Sequence, residues 1–412
     1  MTGKKWKRAA GPLIAVLSAV FLSACGDNLE TFLPMTKNIG GNTGKEEKEQ
    51  ESSSIKALEP VQMSGSSEKT EEVENPEDGE NSSGQAEQDE DGLISITISA
   101  AGDVTMGNYL GQDYSYSFRE MYEKVADDSY FFENVYDIFS VDDMTIVNLE
   151  GPLTTATEGR EEQTYCISGD PAYAKILTAG SVEAVSFANN HRLDYYDKGT
   201  KDTIEALEEQ GIVYAYDNNY AVYETKGIRI GYISVNEVGQ GAGVEKFLKE
   251  GIEGFQEDGV DLILACCHWG IERENYPEDY QKSLGKKCID WGADLVIGCH
   301  PHVLQGIEEY QGKYIIYSLG NFCFGANRNP KDKDCIIFQQ TFTFQEGEKQ
   351  QSEAKIIPCL VSSVSNINDY RPTPAAGEAA SRIIGRMNEY SREFGVEFEE
   401  DGRIKKDFIN TK

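Results

Sequence analysis

Ala293-Asp294-Leu295-Val296-Ile297-Gly298-Cys299-His300-Pro301-His302-Val303-Leu304-Gln305 is the stretch on which the fold turns. Its apolar run is too short for a helix and suits a buried strand, and its polar residues arrive where the strand stops. Pro301 keeps the flanking histidines from forming a helical pair. In an extended turn, His300 and His302 point to different sides and can serve two ions.

The same pattern recurs outward in both directions. Short apolar strands are expected over 94–100, 144–149, 182–188, 228–235 and 260–267, with helical stretches over 170–179, 196–210, 244–257 and 278–291. Further strands follow over 303–309, 313–318, 335–344 and 354–361, and a helical tail over 375–394. No internal repeat interrupts the series. Alternation of this kind predicts one layered α/β domain, with sheets inside and helices outside. In open α/β sheets the binding crevice lies at the carboxyl ends of the strands. Those ends hold Gly102-Asp103, Glu150-Gly151-Pro152, Asn189-Asn190-His191, His268-Trp269-Gly270 and His300-Pro301-His302.

The chain has only four histidines, and each follows an expected strand. A lone histidine is usually a structural hydrogen-bonder. Four on one rim, with Asp103 and Glu150, point instead to a metal centre. Imidazole, carboxylate and amide ligands together suit zinc, manganese or iron better than calcium. Two such ions about 3.5–4 Å apart can activate water and clamp the attacked group. Gly102 and Gly107 fit neither dinucleotide nor P-loop spacing. Ser186 and Ser318 lie within strand runs, so no serine triad is supported. Arg273 either receives a carboxylate or phosphate or is a surface charge between Glu272 and Glu274. Asn321, in the turn after 317–319, lines the crevice or serves the turn.

Acidic side chains outnumber basic ones 71 to 38, a formal charge of −33. Residues 45–91 carry 16 acidic and 4 basic side chains, and residues 92–412 carry 53 against 29. That balance excludes a generic nucleic-acid binder. A polyanionic substrate would have to be met locally, by a metal or a few arginines. A 39% hydrophobic fraction supports a large core. It excludes a wholly disordered chain, and composition likewise rules out a multispanning membrane protein.

Lys4, Lys5, Lys7 and Arg8 precede an apolar run over 13–22, too short to span a bilayer comfortably. It leads into Leu22-Ser23-Ala24-Cys25, which resembles a bacterial lipobox. On that reading, residues 1–25 are a lipoprotein signal peptide. Cys25 is lipidated, and the protein is anchored on the extracellular face of the cytoplasmic membrane. Residues 26–92 read as a disordered acidic tether, about 45 Å end to end as a flexible coil. The remaining eight cysteines are expected to be mostly free and buried, since several lie in or beside apolar runs and the domain needs no staples.

The quoted strand ends, with Ala100-Ala101-Gly102-Asp103, Asn148-Leu149-Glu150-Gly151-Pro152, Ala188-Asn189-Asn190-His191-Arg192-Leu193-Asp194 and Tyr317-Ser318-Leu319-Gly320-Asn321-Phe322, resemble the CapA family of capsule-synthesis proteins. This is the poly-γ-glutamate synthesis group, whose domain is similar to calcineurin-like metallophosphoesterases. The resemblance covers about 95 to 365. It implies that 93–412 forms a four-layer sandwich of two packed mixed sheets flanked by helices. It implies that Asp103 and His302 hold one divalent ion, that Asn190, His268 and His300 hold the other, and that Glu150 bridges them. His191 would protonate a leaving group or steady the transition state. Asp194 would orient His191 or a ligand histidine, or cap the next helix. Thr105 stands where the phosphoesterase pattern has a histidine, so the first site has lost one imidazole and would bind its ion weakly or not at all; Glu150 replaces an aspartate, and Arg192 stands where an acid is usual.

Two readings of function follow. One is a lipid-anchored, metal-dependent hydrolase of a phosphoester, an envelope polymer or its precursor. The other is a non-catalytic accessory protein that binds or guides capsule polymer, with capsule-synthesis membrane proteins as partners.

Overall fold

The computed structural model describes residues 92–217, 219–238 and 243–405. Cys25, the apolar run before it and the acidic tether lie outside the described residues.

The architecture is mixed α/β. In chain order the strands are β1 (Leu93–Thr105), β2 (Asn108–Tyr109), β3 (Met144–Leu149), β4 (Ile167–Ser168), β5 (Ala184–Ser186), β6 (Val213–Ala215), β7 (Tyr220–Thr225) and β8 (Ile228–Asn236). They continue with β9 (Leu262–His268), β10 (Leu295–Cys299), β11 (Ile307–Tyr310), β12 (Lys313–Ile316), β13 (Asn321–Phe324), β14 (Asp334–Gln345), β15 (Glu348–Leu360) and β16 (Thr373–Pro374). Seven α-helices occur among the described residues: α1 (Phe118–Val125), α2 (Tyr136–Phe139), α3 (Ala174–Ala179), α4 (Tyr196–Gln210), α5 (Gly243–Glu257), α6 (Asp279–Trp291) and α7 (Glu378–Tyr390).

One sheet runs β16-β15-β14-β1-β3-β5-β6, with β13 joining β1, and the other runs β11-β12-β10-β9-β8-β7. Parallel pairing dominates wherever a helix provides the crossover, as from β3 to β5 to β6 and from β8 to β9 to β10. The hairpin β14–β15 makes the first sheet mixed.

Alternation along each strand sends its side chains into two different cores. On β9, Leu264 and Cys266 join a cluster shared with Ile98 and Ile146 of the first sheet. Their neighbours Ile263, Ala265 and Cys267 face Leu248 of α5 and Leu284 of α6. On β3, Val147 and Leu149 turn to a third cluster with Leu177 of α3 and Leu207 of α4. A fully buried side chain of this size contributes about 1.5–3 kcal/mol. Helices and sheets are therefore held by the strands' own periodicity.

Several elements depart from the sequence expectation. The strand expected over 182–188 is ordered as strand only at Ala184–Ser186, with the remainder forming the loop toward His191. The strand expected over 303–309 shrinks to Ile307–Tyr310, because residues 300–303 are a turn. That turn is not extended: His300 and His302 have φ of 98° and 57°, in the left-handed region. Such backbone costs about 1–3 kcal/mol per residue and survives only where its surroundings enforce it.

Candidate metal centre

Gly102 begins the site. The β1–β3 register shifts between Ala101 and Asp103, a bulge centred on Gly102. A Cβ there would meet the Gly320 carbonyl oxygen at 1.9 Å. With no side chain in the way, Asp103 donates its backbone N–H to that oxygen at 3.0 Å and lies opposite Asn321 of β13. The bulge thus turns a fully buried carboxylate toward the ends of three strands.

Around it the structure gathers Asp103, Glu150 and His302, which are the one group of three or more His, Cys, Asp or Glu found in metal-binding proximity among the described residues. His302 Nδ1 lies 3.0 Å from Asp103 Oδ2, and its Nε2 lies 3.6 Å from Glu150 Oε1. Asn321 clamps this imidazole. Its Oδ1 accepts from His302 Nδ1 at 3.0 Å, while its Nδ2 donates to the His302 carbonyl at 3.2 Å. That fixes Nε2 as the nitrogen open to a ligand. Asn321 therefore lines the crevice.

His268 and His300 stack side by side with ring centroids 4.7 Å apart. His268 Nε2 lies 2.9 Å from Asn190 Oδ1, and His268 Nδ1 lies 3.4 Å from Asn148 Nδ2. Asn148 also donates to Asp103 Oδ1 at 2.8 Å, so one amide spans both halves of the cluster. Sequence reasoning quoted Asn148 without giving it a role. The available signal was a polar residue placed two positions before Glu150 inside an otherwise apolar strand.

His191 stands apart from these nitrogens. Its Nδ1 donates to Asp194 Oδ2 at 2.7 Å, and its Nε2 faces Glu150 Oε1 at 3.8 Å. Asp194 caps no helix: the N-cap of α4 is Tyr195, and Asp194 Oδ2 accepts instead from Ile167 N–H at 2.7 Å. Arg273 is exposed, with φ of 67°, and its backbone N–H donates to the Pro301 carbonyl at 2.8 Å. It straps the loop after β9 onto the histidine turn. Arg192 is held by Thr200 and Asp217 at 3.2 Å each. Trp269 is fully buried, with its indole N–H on the Tyr317 carbonyl at 2.9 Å, so it packs rather than presenting a surface.

The electrostatics are those of a site short of positive charge. Both oxygens of Glu150 and His300 Nδ1 are buried without a hydrogen-bond partner, and Asp103 Oδ2 has only the His302 ring nitrogen at 3.0 Å beside it. Burial pushes the Glu150 carboxyl up to about 7, with His302 pulling the other way. Burial opposes the charge on His302 too, yet Glu150 and Asp103 outweigh it and raise that imidazole to about 10. Burial and the neighbouring imidazoles hold His268 well below its ordinary value and His300 at about 3. His268 and His300 are thus held in the neutral form that binds a divalent cation, while an ion at Asp103, Glu150 and His302 would have to displace the His302 proton. Uncompensated buried carboxylates cost several kcal/mol each, which a cation would offset. The donor set fits a metal.

Comparison with known proteins now has a geometry to attach to. A family model described as "Bacterial capsule synthesis protein PGA_cap" matches residues 97–326. The capsule biosynthesis protein CapA of Bacillus anthracis is 28% identical over 269 residues, covering 59% of this chain and 63% of that protein. The PGA biosynthesis protein CapA of Bacillus subtilis is 30% identical over 249 residues, covering 56% and 63%. A probable polyglutamine synthesis accessory protein of Mycobacterium tuberculosis is 26% identical over 208 residues, covering 43% and 55%. The match thus spans a little under two thirds of the Bacillus relatives. The family model takes in every strand end that carries a histidine, and the chain belongs to the bacterial capsule synthesis (CapA) family.

Proposed function

We propose that the protein is a metal-dependent hydrolase acting in capsule synthesis, with a centre of metallophosphoesterase type. The carrying observation is the buried grouping of Asp103, Glu150 and His302, in which neither Glu150 oxygen has a hydrogen-bond partner. In this reading Asp103 and His302 hold one ion, Asn190, His268 and His300 hold a second, and Glu150 lies between. The hydrogen bond between His268 Nε2 and Asn190 Oδ1 marks where the second ion would displace a proton. The core shared by the two sheets, with helices against their other faces, is what the four-layer sandwich of that superfamily would require.

Bound divalent ions would polarise the attacked group and acidify water. The chain's own residues do the rest. His191, held through Nδ1 by Asp194, keeps its Nε2 toward the centre and can deliver a proton to a leaving oxygen or nitrogen. Burial disfavours its charge, but the bond to Asp194 and the charges of Asp194 and Glu150 outweigh it and raise its pKa. It therefore stays protonated to higher pH than a free imidazole. Asn321 holds His302 in register.

The test is elemental analysis of purified protein beside a panel of phosphoester and γ-glutamyl substrates. Divalent metal in wild type, lost in a His268→Ala/His300→Ala double variant, is expected. Full metal content in that variant would remove the second site. The accessory reading has its own support: the mycobacterial relative is called an accessory protein, and Thr105 leaves the first site with His302 as its one imidazole. Metal-loaded wild type that hydrolyses nothing on the panel would favour it. We further propose that Cys25 is the lipidated residue of an extracytoplasmic lipoprotein, with residues 26–92 as its tether.

A further inference from the structure

A surface recess of about 480 Å³ lies between the loop entering β14 and helix α7. Lys331, Lys333, Arg382 and Arg386 line it against two acids, Asp332 and Asp334, in a chain whose net charge is −33. The local balance is therefore positive by two charges in an otherwise strongly acidic protein. Its volume falls in the range of ordinary ligand sites.

The recess is built rather than incidental. Asp334 is 6% exposed and accepts from Arg382 Nε at 3.1 Å and Nη2 at 2.6 Å. Arg386 reaches Asp334 Oδ2 at 2.6 Å and both oxygens of Asp332, at 2.9 and 2.6 Å. The two acids thus fix the guanidiniums in place. Even so, the Arg382 side chain remains 53% exposed and has a terminal nitrogen to spare. Lys333 spends two of its three protons on the Ser365 and Ile367 carbonyls, at 2.9 and 2.8 Å, and burial lowers its pKa against the raising charge of Asp369. Lys331 is exposed and pairs with no side chain among the described residues.

We propose that this recess binds a carboxylate-rich chain, taking successive carboxylates at Lys331, Arg382 and Lys333. The arginine forks are already spent on Asp332 and Asp334, so a compact phosphate finds no bidentate partner. What remains are single donors on Lys331, Arg382 and Lys333, which match carboxylates presented one at a time. Its place supports the role. Ala100 of β1 pairs with Phe338 of β14, so β14 starts at the sheet end where Asp103 sits. The Asp334 carbonyl lies 3.2 Å from where a Cβ of Gly320 would be, and Gly320 receives the Asp103 N–H. The recess therefore lies at the strand end that carries Asp103. That the chain is capsule polymer rests on the function proposed above.

The experiment measures binding of a fluorescent γ-linked glutamate oligomer to the full, metal-loaded chain in detergent, at low and high salt. Wild type should bind, more weakly as salt rises. Lys331→Glu/Arg382→Glu should weaken binding about tenfold or more while metal content stays unchanged. Because Arg382 also holds Asp334, Lys331→Glu alone serves as a second variant and should weaken binding about threefold. Unaltered affinity in the folded variants, or no binding by wild type, overturns the proposal. Inorganic polyphosphate displacing the oligomer at lower concentration than the oligomer itself would overturn the carboxylate assignment. Because metal is measured on the same samples, failure of the recess and failure of the metal centre read differently.

Discussion

His191 and His302 show how two imidazoles a few ångströms from one carboxylate acquire different anchors. Both approach Glu150 Oε1, at 3.8 and 3.6 Å, but one is anchored by Asp194 and the other by Asn321. If His191 is a proton donor, His191→Ala should retain metal and melting temperature and lose turnover by about 10²–10⁴. A packing role would instead lower the melting temperature and leave turnover intact. Asn321→Ala should act at a distance, freeing the His302 ring and loosening metal at the first site by about 10–100-fold, measurable by competition with a chelator. The residue types were legible in the sequence because only four histidines exist and all follow strands. The anchors were less so. Asp194 as a helix cap and Asp194 as an imidazole partner look alike until the start of α4 at Tyr196 is known. Arg273 joined the candidate list as a side chain, and the structure adds a role for its backbone N–H.

At the scale of elements, the bulge in β1 is the exacting feature. Gly102→Ala must push Gly320 away, which should cost about 1–3 kcal/mol or more and move Asp103. Thermal melting and metal content should therefore fall together. Leu264→Ala in β9 removes a fully buried side chain between the sheets and should cost about 2–5 kcal/mol without changing metal stoichiometry. These strands were readable because their apolar runs are long enough to show period two or continuous burial. The two-residue pair β2–β4 and the four-residue β13 were not. Their pairing comes from neighbours far away in sequence, such as Asn321 against Asp103, rather than from any local pattern. The histidine turn was misread for a related reason. Pro301 argues for extended backbone before it, yet tertiary contacts hold His300 at positive φ.

For the molecule as a whole, acidity is also a stability matter away from the metal. Asp142 and Glu183 meet around Thr145, whose hydroxyl and N–H they accept at 2.8 and 2.7 Å. Burial pushes both carboxyls up to about 7. Groups whose folded pKa lies above the unfolded value keep protons that the unfolded chain has shed, so stability falls as pH rises from about 4 to 7. Metal-loaded protein should accordingly melt higher at pH 5 than at pH 8, and Glu183→Gln should narrow that gap. An unchanged gap would assign the pH dependence elsewhere. The anchor proposed at Cys25 belongs to this scale as well. Cys25→Ala should leave an unprocessed or mislocalised precursor, visible on membrane fractionation.

All eight cysteines of the described domain are free and buried, and they are spread through its separate cores. Cys266 lies between the sheets, Cys323, Cys335 and Cys359 lie on one outer face, and Cys267 and Cys288 lie on the other. A thiol reagent can reach none of them until the chain opens around it. The protein thus contains its own set of clocks: the rate at which each thiol becomes reactive reports how often that region breathes. Added divalent ion should slow the clocks whose cores carry the histidine strands, so a mass spectrometer could follow occupancy of the centre as a change in the tempo of opening.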